Sequence, residues 1–135
     1  MLYTKCIHDP VSLEEGILIS IMSRHTLNDG KTPDPKITRD KYLFHFPFLG
    51  PSPELIGAYY RKKISWDNFA RGYLLEMESE KDFIEEIAMQ SRMVNITLEC
   101  VERKQDFPEN DLRCHRKLLA DLCKEYVSDL QIIHK

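Results

Sequence analysis

Residues 93–134, "MVNITLECVERKQDFPENDLRCHRKLLADLCKEYVSDLQIIH", decide the fold. "MVNITLEC" (93–100) is a short run of apolar and β-branched residues, the pattern of a buried strand. "VERKQDFPENDLR" (101–113) is polar and holds Pro108 and Asn110, so it reads as a loop. Beyond it Leu118, Leu119, Leu122, Cys123 and Tyr126 fall on one stripe at helical spacing, with Asn110 or Asp111 as the cap. "LQIIH" (130–134) returns to a strand pattern. Strand, loop, helix and strand in that order make a βαβ unit, which implies parallel pairing and a right-handed crossover.

The rest of the chain extends this plan. "LYTKCIH" (2–8) and "GILISIM" (16–22) read as strands separated by a turn at Asp9-Pro10. Residues 23–41, with Asn28-Asp29-Gly30 and prolines at 33 and 35, sustain neither helix nor central strand and form the longest loop, a common carrier of function. "YLFHFPFLG" (42–50) is limited by Pro47 to a short or edge strand. Three helices follow: one with Pro53 in its first turn and Leu55, Ile56, Tyr59 and Tyr60 at helical spacing; one capped by Ser65 with Trp66, Phe69, Tyr73 and Leu74 or Met77 on one side; one capped by Ser79 with Phe83, Ile84, Ile87 and Ala88 inward. The expected fold is α/β: a single three-layer domain over 1–135, with a mainly parallel sheet flanked by helices.

Composition sets the class. A chain of 135 residues with 42% hydrophobic and 30% charged side chains is a folded globular domain able to bury an ordinary core. The formal charge of −3 lacks the positive field that non-specific nucleic-acid binding requires. No basic segment leads into a long apolar run, so neither export nor a membrane partner is expected. Cysteines at 6, 100, 114 and 123 lack the spacing of a disulfide scaffold and include no CxxC pair, which points to reduced thiols and a cytoplasmic location. GxxxxGK[ST], GxGxxG and GxSxG are all missing, which removes the specific arguments for P-loop hydrolysis, Rossmann dinucleotide binding and serine hydrolysis and leaves the cofactor unnamed.

"ITLECVERKQDFPENDLRCHRKLLADLC" (96–123) resembles the strand, Cys, loop, Cys-His-Arg, helix segment of the DUF488 family. "ISWDNFARGYLLEM" (64–77) looks like that family's Trp-x-x-Phe-x-x-x-Tyr helix, and "LYTKCIHDP" (2–10) resembles the opening of its short members. These stretches span most of the chain in the expected order. The resemblance implies an α/β fold with a site at the cysteine pair; the family's name carries no activity.

Cys100 ends the buried strand and Cys114 lies in the first turn of the next helix, so both are expected at the carboxyl edge of the parallel sheet, where α/β proteins bind ligands. Unpaired N–H groups and the helix dipole favour an anion there and lower a thiol's pKa. Cys114 is accordingly the candidate thiolate, Cys100 its neighbour or resolving thiol, and His115 the third catalytic candidate, although adjacent helix positions point about 100° apart. Arg116 is placed to hold a phosphate or carboxylate bidentately. Arg24, at the end of the second strand, reaches toward the same edge, and His25 beside it offers a proton.

Cys6 and Cys123 fit core positions. No metal is expected, because Cys100 and Cys114 lack compact zinc-finger spacing and Cys114 with His115 make awkward neighbours on one ion. The reading is a small anionic, phosphate-bearing ligand at a Cys/Cys-His-Arg site with thiol-based chemistry. The alternative is a non-catalytic ligand-binding or nucleic-acid-associated module with structural cysteines. Oligomeric state is not legible.

Overall fold

In the computed structural model, which describes residues 1–135, the β-branched and apolar runs become five short strands: β1 (Leu2–Cys6), β2 (Ile17–Ser20), β3 (Phe44–His45), β4 (Ile96–Cys100) and β5 (Ile132–His134). Their order is β3-β2-β4-β1-β5, and every neighbouring pair is parallel. β1 lies between β4 and β5, so the βαβ unit read from residues 93–134 spans an inserted strand. Pro47 ends β3 after two residues at the sheet edge, as its missing N–H requires.

The topology determines where the helices go. From β3 to β4 and from β4 to β5 the chain crosses the sheet in the same direction, so right-handed connections place α1 (Pro53–Tyr60), α2 (Trp66–Glu76), α3 (Lys81–Ser91) and α4 (His115–Tyr126) on one side. β1 to β2 and β2 to β3 run the other way, and their connections, residues 7–16 and 21–43, cover the opposite face with loops and two single-turn 3-10 helices, Leu13–Glu15 and Arg39–Lys41. The helix-side core joins Leu2, Ile19 and Leu98 from the sheet to Tyr73, Ile84 and Leu119 from the helices. No helix is long and apolar enough to cross a membrane.

Strand alternation puts different chemistry on the loop-covered face. Lys5, Glu99 and Ser20 lie side by side across β1, β4 and β2. Lys5 Nζ meets Glu15 Oε1 at 3.0 Å, and both side chains are almost wholly buried. Glu99 has no partner for either carboxylate oxygen, and burial pushes its pKa up to about 8.

Two expected caps move. Ser79 does not cap α3: a 3-10 turn, Met77–Glu80, carries α2 into α3, and the Ser79 hydroxyl donates to the Glu76 carbonyl at 3.1 Å. Neither Asn110 nor Asp111 caps α4, whose N-cap is Cys114. Leu112 explains the delay, because it buries its side chain beside Ile7, Cys100 and Cys114 and thereby holds the chain outside the helix.

Candidate functional site

β4 delivers Cys100 to the carboxyl edge of the sheet. The loop then returns to the same edge, where Cys114 takes an extended conformation (φ −141°, ψ 145°) immediately before α4. The two thiols meet on one carboxylate: Cys100 Sγ and Cys114 Sγ each donate to Glu102 Oε2 at 3.1 Å. His115 Nδ1 lies 3.5 Å from Cys100 Sγ, and Nε2 lies 2.8 Å from the Ile21 carbonyl. A carbonyl only accepts, so Nε2 carries the proton and the Nδ1 lone pair faces the sulfurs when the ring is neutral. Tyr60 closes the outer side by donating from its hydroxyl to Glu102 Oε1 at 3.1 Å, and the Tyr73 ring lies 5.4 Å from that of His115.

Cys100, Cys114 and His115 thus have ligand atoms within 4.8 Å of one another. Sequence spacing disfavoured Cys114 and His115 as joint ligands. The extended backbone at Cys114 resolves this: the chain changes direction between the two residues, and both side chains turn to the same point. Glu102 was missed, although two positions beyond Cys100 in an extended chain put it on the cysteine's side.

Burial governs the two thiols. It pushes the Cys114 thiol well above its ordinary range and Cys100 up as well, the direction opposite to that expected from the helix dipole. For Glu102, burial is outweighed by His115 and the two thiol donors, and the carboxyl is held below its usual value. For His115, burial is outweighed by Cys114, Glu102 and the Ile21 carbonyl, and its pKa is raised.

The other expected site residues are placed differently. Arg116 is wholly buried beneath β1, donating to Thr4 Oγ1 at 2.6 Å, the Lys135 carbonyl at 3.0 Å and the Glu102 carbonyl at 3.4 Å. Arg24 is exposed and donates to the Gly30 carbonyl at 2.9 Å. The His25 ring stacks on His45, with centroids 3.9 Å apart, and its Nε2 pairs with the Ser20 hydroxyl at 2.7 Å. The structure does not bring Arg24 or His25 into contact with the thiols. Cys6 and Cys123 are fully buried, and all four cysteines are free.

A cavity of about 520 Å³ opens at the same edge, lined by His8, Asp34, Lys36, Lys41 and Arg103 with Leu27 and Pro35. Asp34 faces His8 at 4.0 Å. Lys36, Lys41 and Arg103 form no ion pair with the protein. The cavity shares a wall with the thiols, because four adjacent pairs each give one residue to either side. His8, Lys36, Lys41 and Arg103 line the cavity, while Ile7, Ile37 and Tyr42 pack on the cysteine cluster and Glu102 bonds the thiols.

A family model described as DUF488-N3a, "Active DUF488-N3 subclade", matches residues 2–127. No curated protein and no solved structure matches the chain.

Proposed function

Since the chain belongs to the DUF488 family, we propose that it binds a small phosphate-bearing anion in the cavity at the sheet edge, beside the buried pair Cys100 and Cys114. One observation carries the reading: Lys36, Lys41 and Arg103 line one cavity and make no ion pair, while the one carboxylate lining it, Asp34, faces His8, in a chain whose net charge is −3. Three unpaired cations around a concave surface repel one another, and an anion placed among them relieves that repulsion and accepts charge-assisted hydrogen bonds. The wall shared through residue pairs such as Glu102 and Arg103 supports a position for such an anion near the two thiols. Free cysteines throughout fit a reducing, cytoplasmic setting.

Calorimetric titration with inorganic phosphate and with nucleoside mono- and diphosphates at low salt tests the reading. Binding is expected to weaken at least about 10-fold in Lys41→Glu and in Arg103→Glu, the loss of one charge-assisted contact, and to persist in Arg24→Ala. Absence of binding at millimolar ligand, or binding indifferent to both charge reversals, overturns it.

A further inference from the structure

We propose that Cys100, Cys114 and His115 form a three-ligand binding site for a borderline-soft divalent cation, zinc in the first place, whose fourth position is left to water. The proposal rests on the geometry of these three side chains and does not depend on an anion in the neighbouring cavity.

The donor atoms are already spaced for it. A tetrahedral zinc with ordinary metal–sulfur and metal–nitrogen lengths sets sulfur and nitrogen ligands about 3.5 Å apart and two sulfurs about 3.8 Å apart. Cys100 Sγ and His115 Nδ1 stand at 3.5 Å, and the three sulfur and nitrogen donors fall within 4.8 Å of one another. Glu102 Oε2 lies 3.1 Å from each sulfur and accepts from both thiols, beside the three donors rather than among them.

The surrounding groups aim the ligands. In zinc sites the non-ligating ring nitrogen of histidine normally donates to a carbonyl or carboxylate, which orients the other nitrogen's lone pair at the metal. The Ile21 carbonyl does this for His115, and the Tyr60 hydroxyl on Oε1 fixes the Glu102 carboxylate beside the two sulfurs. Cys100, Cys114 and His115 are buried, and Ile7, Met22 and Leu112 form an apolar shell around the sulfurs. One ligand ends a strand and two begin a helix, so the site is held on rigid elements.

The donor set selects the ion. Two thiolates with an imidazole suit zinc, cobalt(II) or iron(II), and exclude magnesium and calcium, which demand oxygen ligands in larger number. As each metal–sulfur bond forms, the thiol's proton passes to solvent, so binding releases two protons for the two cysteines.

The experiment uses the full chain with all thiols reduced, stripped with chelator and titrated with cobalt(II). Saturation is expected at one cobalt per chain, with thiolate-to-cobalt charge transfer in the near ultraviolet, the intense visible bands of a tetrahedral site, and displacement of both signals by zinc. His115→Gln and Cys114→Ser should each weaken cobalt binding by more than about 100-fold, since loss of a supporting group alone costs 10- to 100-fold. Tyr60→Phe should weaken it less, and Cys123→Ser should leave the spectrum intact. Because the wild-type titration needs no variant to fold, it decides alone. No charge-transfer band at stoichiometric cobalt with four countable free thiols overturns the site, as does a band that survives Cys114→Ser. Phosphate titration of the same stripped chain separates this outcome from the fate of the anion cavity.

Discussion

The Arg116 guanidinium donates to Thr4 Oγ1 at 2.6 Å, joining the first turn of α4 to the middle of β1 across 112 positions of sequence. Thr4 Oγ1 also lies 2.7 Å from His134 Nδ1, so the hydroxyl accepts from the arginine and donates to a neutral imidazole. Two further donations go to the Glu102 and Lys135 carbonyls. Arg116 is therefore a cross-tie between α4, β1 and the end of the edge strand β5. Arg116→Ala is expected to cost about 2–4 kcal/mol, because it leaves several buried acceptors without a donor. Urea denaturation measures it; a loss below about 1 kcal/mol would show that water replaces these contacts.

Stability should peak near pH 6.5. Burial, followed by the neighbouring His45, lowers His25 to a pKa of about 4; burial, followed by Arg116, lowers His134 to about 4. A histidine held neutral in the fold binds fewer protons than its unfolded counterpart, so its contribution is complete above its unfolded pKa near 6.5 and is lost as pH falls toward 4. Glu99 acts in the opposite sense. It faces Lys5 from β1, Glu15 from the loop before β2 and Lys41 from the loop before β3, and burial raises it to about 8. Its contribution is complete below its unfolded value and is lost as pH rises through 8. Between about 4.5 and 6.5 the two histidines outnumber the one carboxyl; above 6.5 the carboxyl and His115, whose pKa is raised, both lose their contributions as pH rises. The His25 and His134 rings are partly solvated, so the acid limb amounts to no more than about 2 kcal/mol after screening. Urea midpoints from pH 4 to 9 should trace this dome, and Glu99→Gln should flatten its alkaline limb. An unchanged alkaline limb in Glu99→Gln would assign it to another group.

The sequence made the βαβ unit legible because period-2 and period-3.6 patterns changed at identifiable punctuation, and the meeting of Cys100 with Cys114 follows from that topology. Arg116 was misleading for a reason visible afterwards. Positions 116, 119, 120 and 123 recur at i, i+3, i+4 and i+7, so the arginine lies on the buried stripe of α4 rather than on its rim. Glu102 stood two positions beyond Cys100, on its side of an extended chain, but its contact with Cys114 depends on the return of the loop. The cations of the long loop could be counted in the sequence, yet the convergence of Lys36 and Lys41 with Arg103 depends on a loop path that no periodicity encodes.

Cys114 and Cys123, nine positions apart on one helix, should be alike in labelling and unlike in stability. The sequence alone places Cys114 at an accessible helix start, where iodoacetamide would reach it first. In the structure its side chain is only 2% exposed, and Cys123 is 0% exposed. Native protein is therefore expected to leave both thiols unmodified over the time that urea-unfolded protein takes to react at all four cysteines, read by mass spectrometry. Substitution separates the two. Cys123 packs in the helix-side core with Ile84 and Leu119, and Cys123→Ser buries a hydroxyl there at a cost of about 1–3 kcal/mol. Cys114 occupies the N-cap of α4 with no side-chain capping bond, and its thiol donates to Glu102. Serine at that position can keep the donation to the carboxylate and also accept from the first turn of the helix, so Cys114→Ser should change stability by less than about 1 kcal/mol. Rapid alkylation of Cys114 in the native state would mean that the Glu102 side of the cluster opens to solvent. A Cys114→Ser loss as large as that of Cys123→Ser would mean that the sulfur is held by packing rather than by the carboxylate.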